Sequence, residues 1–467
     1  MATENDKNET QAENLIENGV HNYTDPAAYV WPKDAAVRAH LETYMDYKLG
    51  FMMHWAPGSQ LGMMESWPLC DADGDWSQTE IDWTDDIEAA KQAYWDANKT
   101  FNPVKFRPDR WAKLAKECGF RYLLATTKHH DGFCMYDTKQ TDYKITAPDC
   151  PFSRNERADI IKNLFDAFRA QGLAVSAYFS KPDWHSDVYW AKQFGAPADR
   201  NVNYNVKEHP QLWEQFVQYT HAQLREIVTH YGPVDMLWLD GGWVRPDYCG
   251  QDIRLAEIVE ELRKTVNPAL LVCDRTVGGA YENIVTPECT VPETILNVPW
   301  ESCITLGDNF SFHYTDHYKT PCELVCLLVG IVAKGGNLAL NITPQPDGDL
   351  PAEGIKALRG LGAWLRVNGE GIYGTRPCAW LPATKQLMFT QKANALYLFY
   401  LYGHINRLPR NVTLTLPQSR VLKSAVLLRT GETVPCSQSG ADVTLHFDKL
   451  DVSAAEFADC VKLAYVE

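Results

Sequence analysis

The sequence predicts an α/β fold: a (β/α)8-like TIM barrel followed by a C-terminal antiparallel β-sandwich. Between about residues 45 and 345, helical segments alternate with short strands that are apolar on both faces, as in a buried parallel sheet. Beyond residue 375 the pattern changes to short alternating runs separated by turn residues, which is typical of antiparallel sheets. We therefore predict a flexible N-terminal extension over residues 1–30, a barrel over 31–370 and a β-sandwich over 371–467.

The barrel prediction rests on a repeated order of helix, short loop and apolar strand. The predicted strands span residues 47–55, 122–130, 173–180, 235–243, 269–275 and 337–342. The predicted helices span residues 108–120, 160–172, 212–232, 254–268 and 323–336. A doubly wound open sheet is the structural alternative, but no GxGxxG or GxxxxGK[ST] motif follows any of these strands. The predicted sandwich strands lie within residues 385–403, 411–417, 425–434, 441–447 and 457–467.

Composition limits the classes of function. The net charge of -16 argues against nucleic acid or an anionic membrane as the main partner. The 13 cysteines include no CxxC pair, which favours reduced, packed thiols. The N-terminus is polar and lacks the apolar stretch of a signal peptide, so we expect a cytoplasmic protein, or a secreted or periplasmic one if a leader has been removed. The apolar run 324–333 is too short to span a bilayer.

Polar side chains stand where five consecutive barrel strands end, and barrel chemistry is carried out at those ends. They are His54; Lys128, His129, His130 and Asp131; Tyr178, Ser180, Asp183 and His185; Asp240; and Asp274 and Arg275. A single Asp such as Asp240 is commonly a helix cap or an ion-pair partner of an arginine. Five polar endings in a row are hard to explain by packing, because a buried charge is costly unless it is paired. The pattern therefore predicts a functional pocket with Asp240 in it.

A metal site is a rival interpretation of the same residues. His54, His129, His185 and Asp240 are ligand types that zinc accepts. Neighbouring residues such as His129 and His130 point to opposite faces of a regular strand, although both can reach a pocket where the strand ends. No HxH or HExxH spacing supports a metal, and a metal-dependent barrel enzyme stays an alternative.

Six segments in order resemble motifs of the glycoside hydrolase family 29 α-L-fucosidases: KLGFMMHW, TTKHHDGFCMYDTKQTDY, FSKPDW, LWLDGGW, TPE with PWESC, and AKGGNLALNITPQPDG. The resemblance covers about residues 45–355. It implies a retaining exo-α-L-fucosidase that removes terminal α-L-fucose from oligosaccharides or glycoconjugates by double displacement, with no cofactor and no metal. It also implies that Asp240 is the nucleophile, and retaining chemistry needs a second carboxyl group about 5 Å away.

The resemblance suggests the second carboxyl group and the sugar-binding residues as well. Glu288 in VTPEC is the favoured acid/base, Glu301 in PWESC is the second choice, and Glu282 and Glu293 rank behind them. The residues expected to hold fucose are His54, Glu65, His129, His130, Tyr178, Trp238, Arg275 and Phe310.

Segment 273–288 resembles the branch of the family that prefers α1,3/4-linked fucose on branched, Lewis-type glycans. A broad-specificity enzyme active on aryl and α1,2-linked fucosides is the alternative within the family. A non-catalytic fucose-binding protein is an alternative outside the enzymes. The sequence gives no prediction of oligomeric state.

Overall fold

The computed structural model describes residues 23–402, 408–417, 420–450 and 457–466. Its first part alternates helices with parallel strands. The helices are α1 (Ala35–Tyr47), α2 (Asp71–Gln78), α3 (Ile87–Asp96), α4 (Pro108–Glu117), α5 (Ile160–Ala170), α6 (Pro210–His230), α7 (Leu255–Thr265), α8 (Pro321–Ala333) and α9 (Ala352–Asn368). The strands are β1 (Leu49–Met53), β2 (Tyr122–Lys128), β3 (Ala174–Ser180), β4 (Met236–Asp240), β5 (Leu271–Asp274), β6 (Glu301–Thr305) and β7 (Asn337–Ile342). Within the described ranges, no helix is long and apolar enough to cross a bilayer.

These strands form one parallel sheet in the order β5-β4-β3-β2-β1-β7-β6. Alternate residues point to opposite faces, so each strand feeds two apolar clusters. Side chains such as Met52, Leu124 and Trp238 pack together on the inner face. Side chains such as Phe51, Leu123 and Leu239 join the cluster that contains the helices. The domain is therefore barrel-like, and its strands all point their carboxyl ends to one face.

The barrel differs from the prediction in that it has seven strands within the described residues and is not closed between β5 and β6. Residues 276–300 contain Pro287, Pro292 and Pro299 and form no helix, so the βα repeat is interrupted there. Proline cannot donate to a strand ladder, which explains why no regular strand forms. Isolated bridges of this segment, Val285 to Trp300 and Glu288 to Cys303, partly fill the opening.

The C-terminal part is antiparallel β structure, as predicted. Its strands are β8 (Arg376–Pro377), β9 (Leu387–Lys392), β10 (Ala395–Leu401), β11 (Asn411–Thr415), β12 (Val421–Leu427), β13 (Cys436–Ser439), β14 (Asp442–His446) and β15 (Ala458–Val466). They form a sheet of five strands, β12-β15-β10-β9-β8, and one of three, β11-β14-β13. Leu398 and Leu463 of the first sheet and Val412 and Leu445 of the second belong to one buried cluster. The boundary at residue 371 stays a prediction.

Residues 1–22 of the predicted flexible extension lie outside the described residues. The end of that extension contacts the barrel: Thr24 donates a hydrogen bond to Glu282 at 2.6 Å, and Tyr29 donates to the carbonyl of Asn283 at 2.7 Å. All thirteen cysteines are free thiols, as the sequence indicated.

Candidate active site

Strand β4 ends on Asp240 at the face where the carboxyl ends of the parallel strands meet. Two glycines follow because the turn is crowded. Gly241 has a φ of 87°, in the left-handed region that glycine tolerates. A Cβ on Gly242 would lie 1.9 Å from the hydroxyl oxygen of Thr276. The glycine pair thus lets the chain turn directly after the carboxylate.

Both carboxylate oxygens of Asp240 accept hydrogen bonds from neighbouring strands. Tyr178 donates to Oδ2 at 2.6 Å, and Nη1 of Arg275 donates to Oδ1 at 3.0 Å. Burial by itself raises the pKa of Asp240, but the charge of Arg275 and the Tyr178 hydrogen bond outweigh it and hold the pKa well below its usual range. Asp240 is therefore ionised at neutral pH.

Glu288 shares a guanidinium with Asp240. Nη2 of Arg275 donates to Oε2 of Glu288, while Nη1 of the same side chain donates to Asp240. The side chain of Glu288 is 40% exposed, against 14% for Asp240. One carboxylate is thus enclosed at the end of a strand, and the other stands nearer the solvent on the segment between β5 and β6.

Glu301 lies at the opposite end of the barrel. It is the first residue of β6 and is level with Asn337, the first residue of β7, whereas Asp240 is the last residue of β4. Its buried carboxylate accepts hydrogen bonds from the hydroxyls of Tyr44 and Tyr122. Glu301, the second choice for the acid/base, therefore does not stand beside Asp240, because the apolar residues of its strand follow it rather than precede it.

The two glutamates ranked behind Glu301 lie at separate positions. Glu282 is buried, and its carboxylate accepts hydrogen bonds from the backbone of Thr276 and Gly278, so it braces the turn after β5. Glu293 is exposed.

The position of Glu301 predicts a pH-dependent stability. Burial raises the pKa of its carboxyl group from 4.5 to about 6, although the two tyrosine hydrogen bonds oppose the rise. Between these values the folded state binds a proton that the unfolded state has lost, so stability falls as pH rises through this window. Above it the cost levels off at about 2 kcal/mol, since one pKa unit is worth ~1.4 kcal/mol.

Glu301→Gln keeps the shape of the side chain and cannot ionise. We expect the free energy of unfolding of this variant, relative to wild type, to shift by about 2 kcal/mol in the variant's favour between pH 4 and pH 8. Urea denaturation over a pH series measures the difference. A difference that stays constant across the series would show that folding does not perturb this carboxyl group.

Glu65 and His129 form an ion pair on another side of the pocket. Nε2 of His129 lies 3.2 Å from Oε2 of Glu65, and the hydroxyl of Ser66 lies 2.5 Å from Nδ1. Burial opposes both charges, but the mutual attraction raises the pKa of His129 and lowers that of Glu65. Glu65 has a φ of 46°, which is unusual for a residue other than glycine, and its N–H donates to Ser311.

His54 is oriented by Asn341. Oδ1 of Asn341 accepts from the backbone N–H of His54 at 3.1 Å and lies 2.8 Å from its Nδ1. Burial lowers the pKa of His54, so the ring is neutral. A neutral ring whose Nδ1–H donates to Asn341 leaves Nε2 as an acceptor, and Nε2 lies 3.8 Å from Glu65.

Aromatic groups form the rest of the pocket wall. Tyr178 stacks on Trp238 with ring centroids 5.2 Å apart, and the guanidinium of Arg275 lies 5.4 Å from the Trp238 ring. Phe310 packs edge-on against His54 at 5.3 Å. The contacts with Trp238 hold Tyr178 and Arg275 in place, and these two side chains hydrogen-bond Asp240.

His130 lies between Asp240 and an indole ring. Its Nε2 is 3.9 Å from Oδ2 of Asp240, and its ring centroid is 5.2 Å from that of Trp67. Burial holds the pKa of His130 well below the usual range, so His130 is neutral, whereas Glu65 raises the pKa of the adjacent His129. All the sugar-binding residues predicted from the sequence therefore lie together around Asp240.

Four further residues position this site and were not predicted from the sequence. Ser66, Trp67, Ser311 and Asn341 contact the predicted residues through loops or neighbouring strands. A short polar residue in a loop carries no periodic signal, so only its position in the fold identifies it.

Several polar strand ends have structural partners instead. Lys128 pairs with Asp183 at 3.2 Å, and Lys181 pairs with Asp274 at 2.6 Å, all buried. His185 stacks on Tyr143 at 4.1 Å. Ion pairing and packing therefore explain why these polar residues stand at strand ends, without a role in the pocket.

The pocket also contains groups that a metal ion would accept. Donor atoms of His54, Glu65 and His129 lie within 4.8 Å of one another, as do those of His129, His130 and Asp240. Imidazole and carboxylate are zinc ligands, so both groups have the donor chemistry of a zinc site.

Comparison with known proteins identifies the family. The family model described as Alpha-L-fucosidase matches residues 17–370. The chain belongs to the α-L-fucosidase family. Tissue alpha-L-fucosidase of Macaca fascicularis is 27% identical over 440 residues, which are 90% of this chain and 88% of that one. Plasma alpha-L-fucosidase of Rattus norvegicus is 30% identical over 342 residues, 70% of this chain and 69% of that one.

Solved structures of α-L-fucosidases share the fold. Alpha-L-fucosidase isoenzyme 1 from Paenibacillus thiaminolyticus has a TM-score of 0.74 and 29% identity, covering 93% of this chain and 100% of that one. The resemblance stated from the motifs is therefore confirmed: this α-L-fucosidase is a glycoside hydrolase, and its substrate carries fucose. The linkage preference stays a prediction.

Proposed function

We propose that this α-L-fucosidase is a retaining exo-enzyme in which Asp240 is the nucleophile and Glu288 is the general acid and base. The observation that carries the proposal is that both carboxylates contact Arg275 at the carboxyl-end face of the barrel. A shared guanidinium keeps two carboxyl groups close, and retaining glycosidases need a separation of about 5 Å. Asp240 is more buried than Glu288, and this difference in exposure suits a nucleophile and a general acid and base, respectively.

In the first step an oxygen of Asp240 attacks the anomeric carbon of fucose. The bond from that carbon to the aglycone oxygen breaks, and Glu288 gives its proton to the leaving oxygen. The product of this step is a fucosyl ester of Asp240. In the second step Glu288 takes a proton from water, the water oxygen attacks the same carbon, and the bond to Asp240 breaks. Fucose leaves with its original anomeric configuration.

The surrounding residues hold the sugar in this proposal. Neutral His54 presents an acceptor nitrogen, and Oε1 of Glu65, which makes no hydrogen bond with the described residues, presents an acceptor to ring hydroxyls. Phe310 offers an apolar surface to the C6 methyl group that distinguishes fucose. Ionised Asp240 is ready to attack without losing a proton.

For the linkage we propose α1,3/4-linked fucose on branched, Lewis-type glycans. The support is the resemblance of segment 273–288 to that branch of the family. The same segment carries Glu288 and lies over the opening between β5 and β6, where an aglycone would contact it. Broad specificity on aryl and α1,2-linked fucosides is the alternative.

The test is fucose release from three substrates: a Lewis-type trisaccharide, α1,2-fucosylated lactose and an aryl α-L-fucoside. We expect kcat/KM for the Lewis trisaccharide to exceed the other two by about tenfold or more, unchanged by EDTA. NMR of the first-formed sugar gives the anomer, which should be α. Equal rates on all three substrates would remove the linkage proposal, and loss of activity in EDTA would favour a metal at the histidines.

A further inference from the structure

A second cleft lies outside the active site, between helices α4 and α9. Its volume is about 420 Å³, which is within the range of small-molecule sites, about 300–1,000 Å³. The two helices touch near Cys118 and Gly362, where a Cβ on the glycine would lie 2.6 Å from the cysteine Cα. Residues of both helices and of the segments just before them line the cleft.

The floor of the cleft is apolar. It is formed by Trp111 and Leu114 of α4, by Ile355 of α9 and by Leu350 just before α9. The ring of Trp111 packs 5.3 Å from that of Trp55, the residue after His54. Because α4 and α9 both follow strands of the barrel, their N-termini lie on the face that holds Asp240.

The rim of the cleft is basic. Arg107, Arg110 and Arg359 line it, and Lys105 lies beside them, paired with Asp347 at 2.7 Å. Arg110 and Arg359 are exposed, and neither side chain makes a hydrogen bond or ion pair with any described residue. The chain has 60 acidic and 44 basic residues. In a chain with an excess of acidic residues, two unpaired arginines at one cleft are unexpected. One acidic residue, Asp349, also lines the cleft.

We infer that this cleft binds an acidic saccharide: a sugar ring that carries a carboxylate or a sulfate. An arginine guanidinium recognises either group through paired N–H donors. The apolar floor can pack against the face of a pyranose ring that presents C–H groups. A free inorganic anion has no such face. The site is separate from the reacting groups around Asp240.

The test uses fucose-free saccharides, so its result does not depend on the proposed reaction. Titration calorimetry compares 3′-sialyllactose and 3′-sulfated lactose with neutral lactose and with inorganic sulfate. We expect both acidic sugars to bind about tenfold or more tightly than lactose and inorganic sulfate, and the affinity to fall with added salt.

The variant is Arg110→Ala/Arg359→Ala, and the matched control is Lys113→Ala/Lys356→Ala. Both pairs remove one positive charge from each of the two helices, but Lys113 and Lys356 do not line the cleft. We expect the arginine variant to lose about tenfold in affinity and the lysine variant less than about twofold, with melting temperatures and aryl-fucoside turnover unchanged in both.

Three results would overturn the inference. Absence of binding by both acidic sugars would remove the site, and so would equal losses in the two double variants. Inorganic sulfate binding as tightly as sulfated lactose would reject the saccharide and leave an anion site of no sugar preference.

Discussion

Asp240→Asn is expected to lower kcat for fucose release by roughly 10⁴-fold or more, because the amide cannot form the fucosyl ester and losses of this size follow removal of a nucleophile. The effect should appear in kcat rather than in KM, since the sugar-binding residues stay in place. Release of fucose from an aryl fucoside measures it. Asp247→Asn is the matched control, because Asp247 lies beyond the same strand with a side chain that is 77% exposed.

A shortened side chain tests the nucleophile more directly. Asp240→Gly leaves space beside Arg275 and Tyr178, and azide is small enough to enter it. Azide attacking from the position of the lost carboxylate produces the β-L-fucosyl azide, with inverted configuration. Detection of that product assigns the position of attack. Activity near the wild-type level in either variant would reject Asp240 as the nucleophile.

Much of the fold could be predicted from hydrophobic pattern alone. The strand predicted at residues 337–342 is β7 to the residue, because a run that is apolar on both faces is distinctive when helices flank it. The opening between β5 and β6 was not predicted. Three prolines in residues 276–300 signalled an irregular segment, but whether a sheet closes around such a segment depends on contacts distant in sequence.

The site could be predicted for the residues that stand on strand ends, because the ends of parallel strands must meet. The same rule also selected Asp183 and Asp274, which instead pair with buried lysines. Sequence does not reveal which carboxylate will find a partner. Nor does it reveal Asn341, whose amide orients His54 from the neighbouring strand. The position of Glu301 depends on the direction of its strand. A glutamate next to an apolar run lies at the pocket only if the run precedes it, and Glu301 is the first residue of its strand.

Glu288→Gln is expected to lower kcat/KM on a Lewis-type trisaccharide by about 10³-fold, within the range for loss of a general acid. The aglycone oxygen of an oligosaccharide is a poor leaving group unless it is protonated. An aryl fucoside with an acidic phenol needs little protonation, so its first step should be nearly as fast as in wild type. Its second step still lacks a base, and the fucosyl ester should accumulate and lower both kcat and KM.

Glu301→Gln is the matched control for this variant. It makes the same chemical change on the other predicted acid, whose carboxylate is enclosed by Tyr44 and Tyr122 at the far end of the barrel. We expect its kcat/KM to stay within about threefold of wild type on both substrates, since a change that leaves both reacting carboxylates in place has no reason to distinguish leaving groups. A dependence on the leaving group in Glu301→Gln, and not in Glu288→Gln, would reverse the two assignments.

The anomer formed with azide separates the two carboxylates of the reaction. In Glu288→Ala, azide enters where the base stood and attacks the fucosyl ester of Asp240, so two inversions give the α-L-fucosyl azide. In Asp240→Gly a single inversion gives the β product. Opposite anomers from the two variants require that Asp240 and Glu288 act on opposite faces of the same anomeric carbon, which is the arrangement that their shared contact with Arg275 supports.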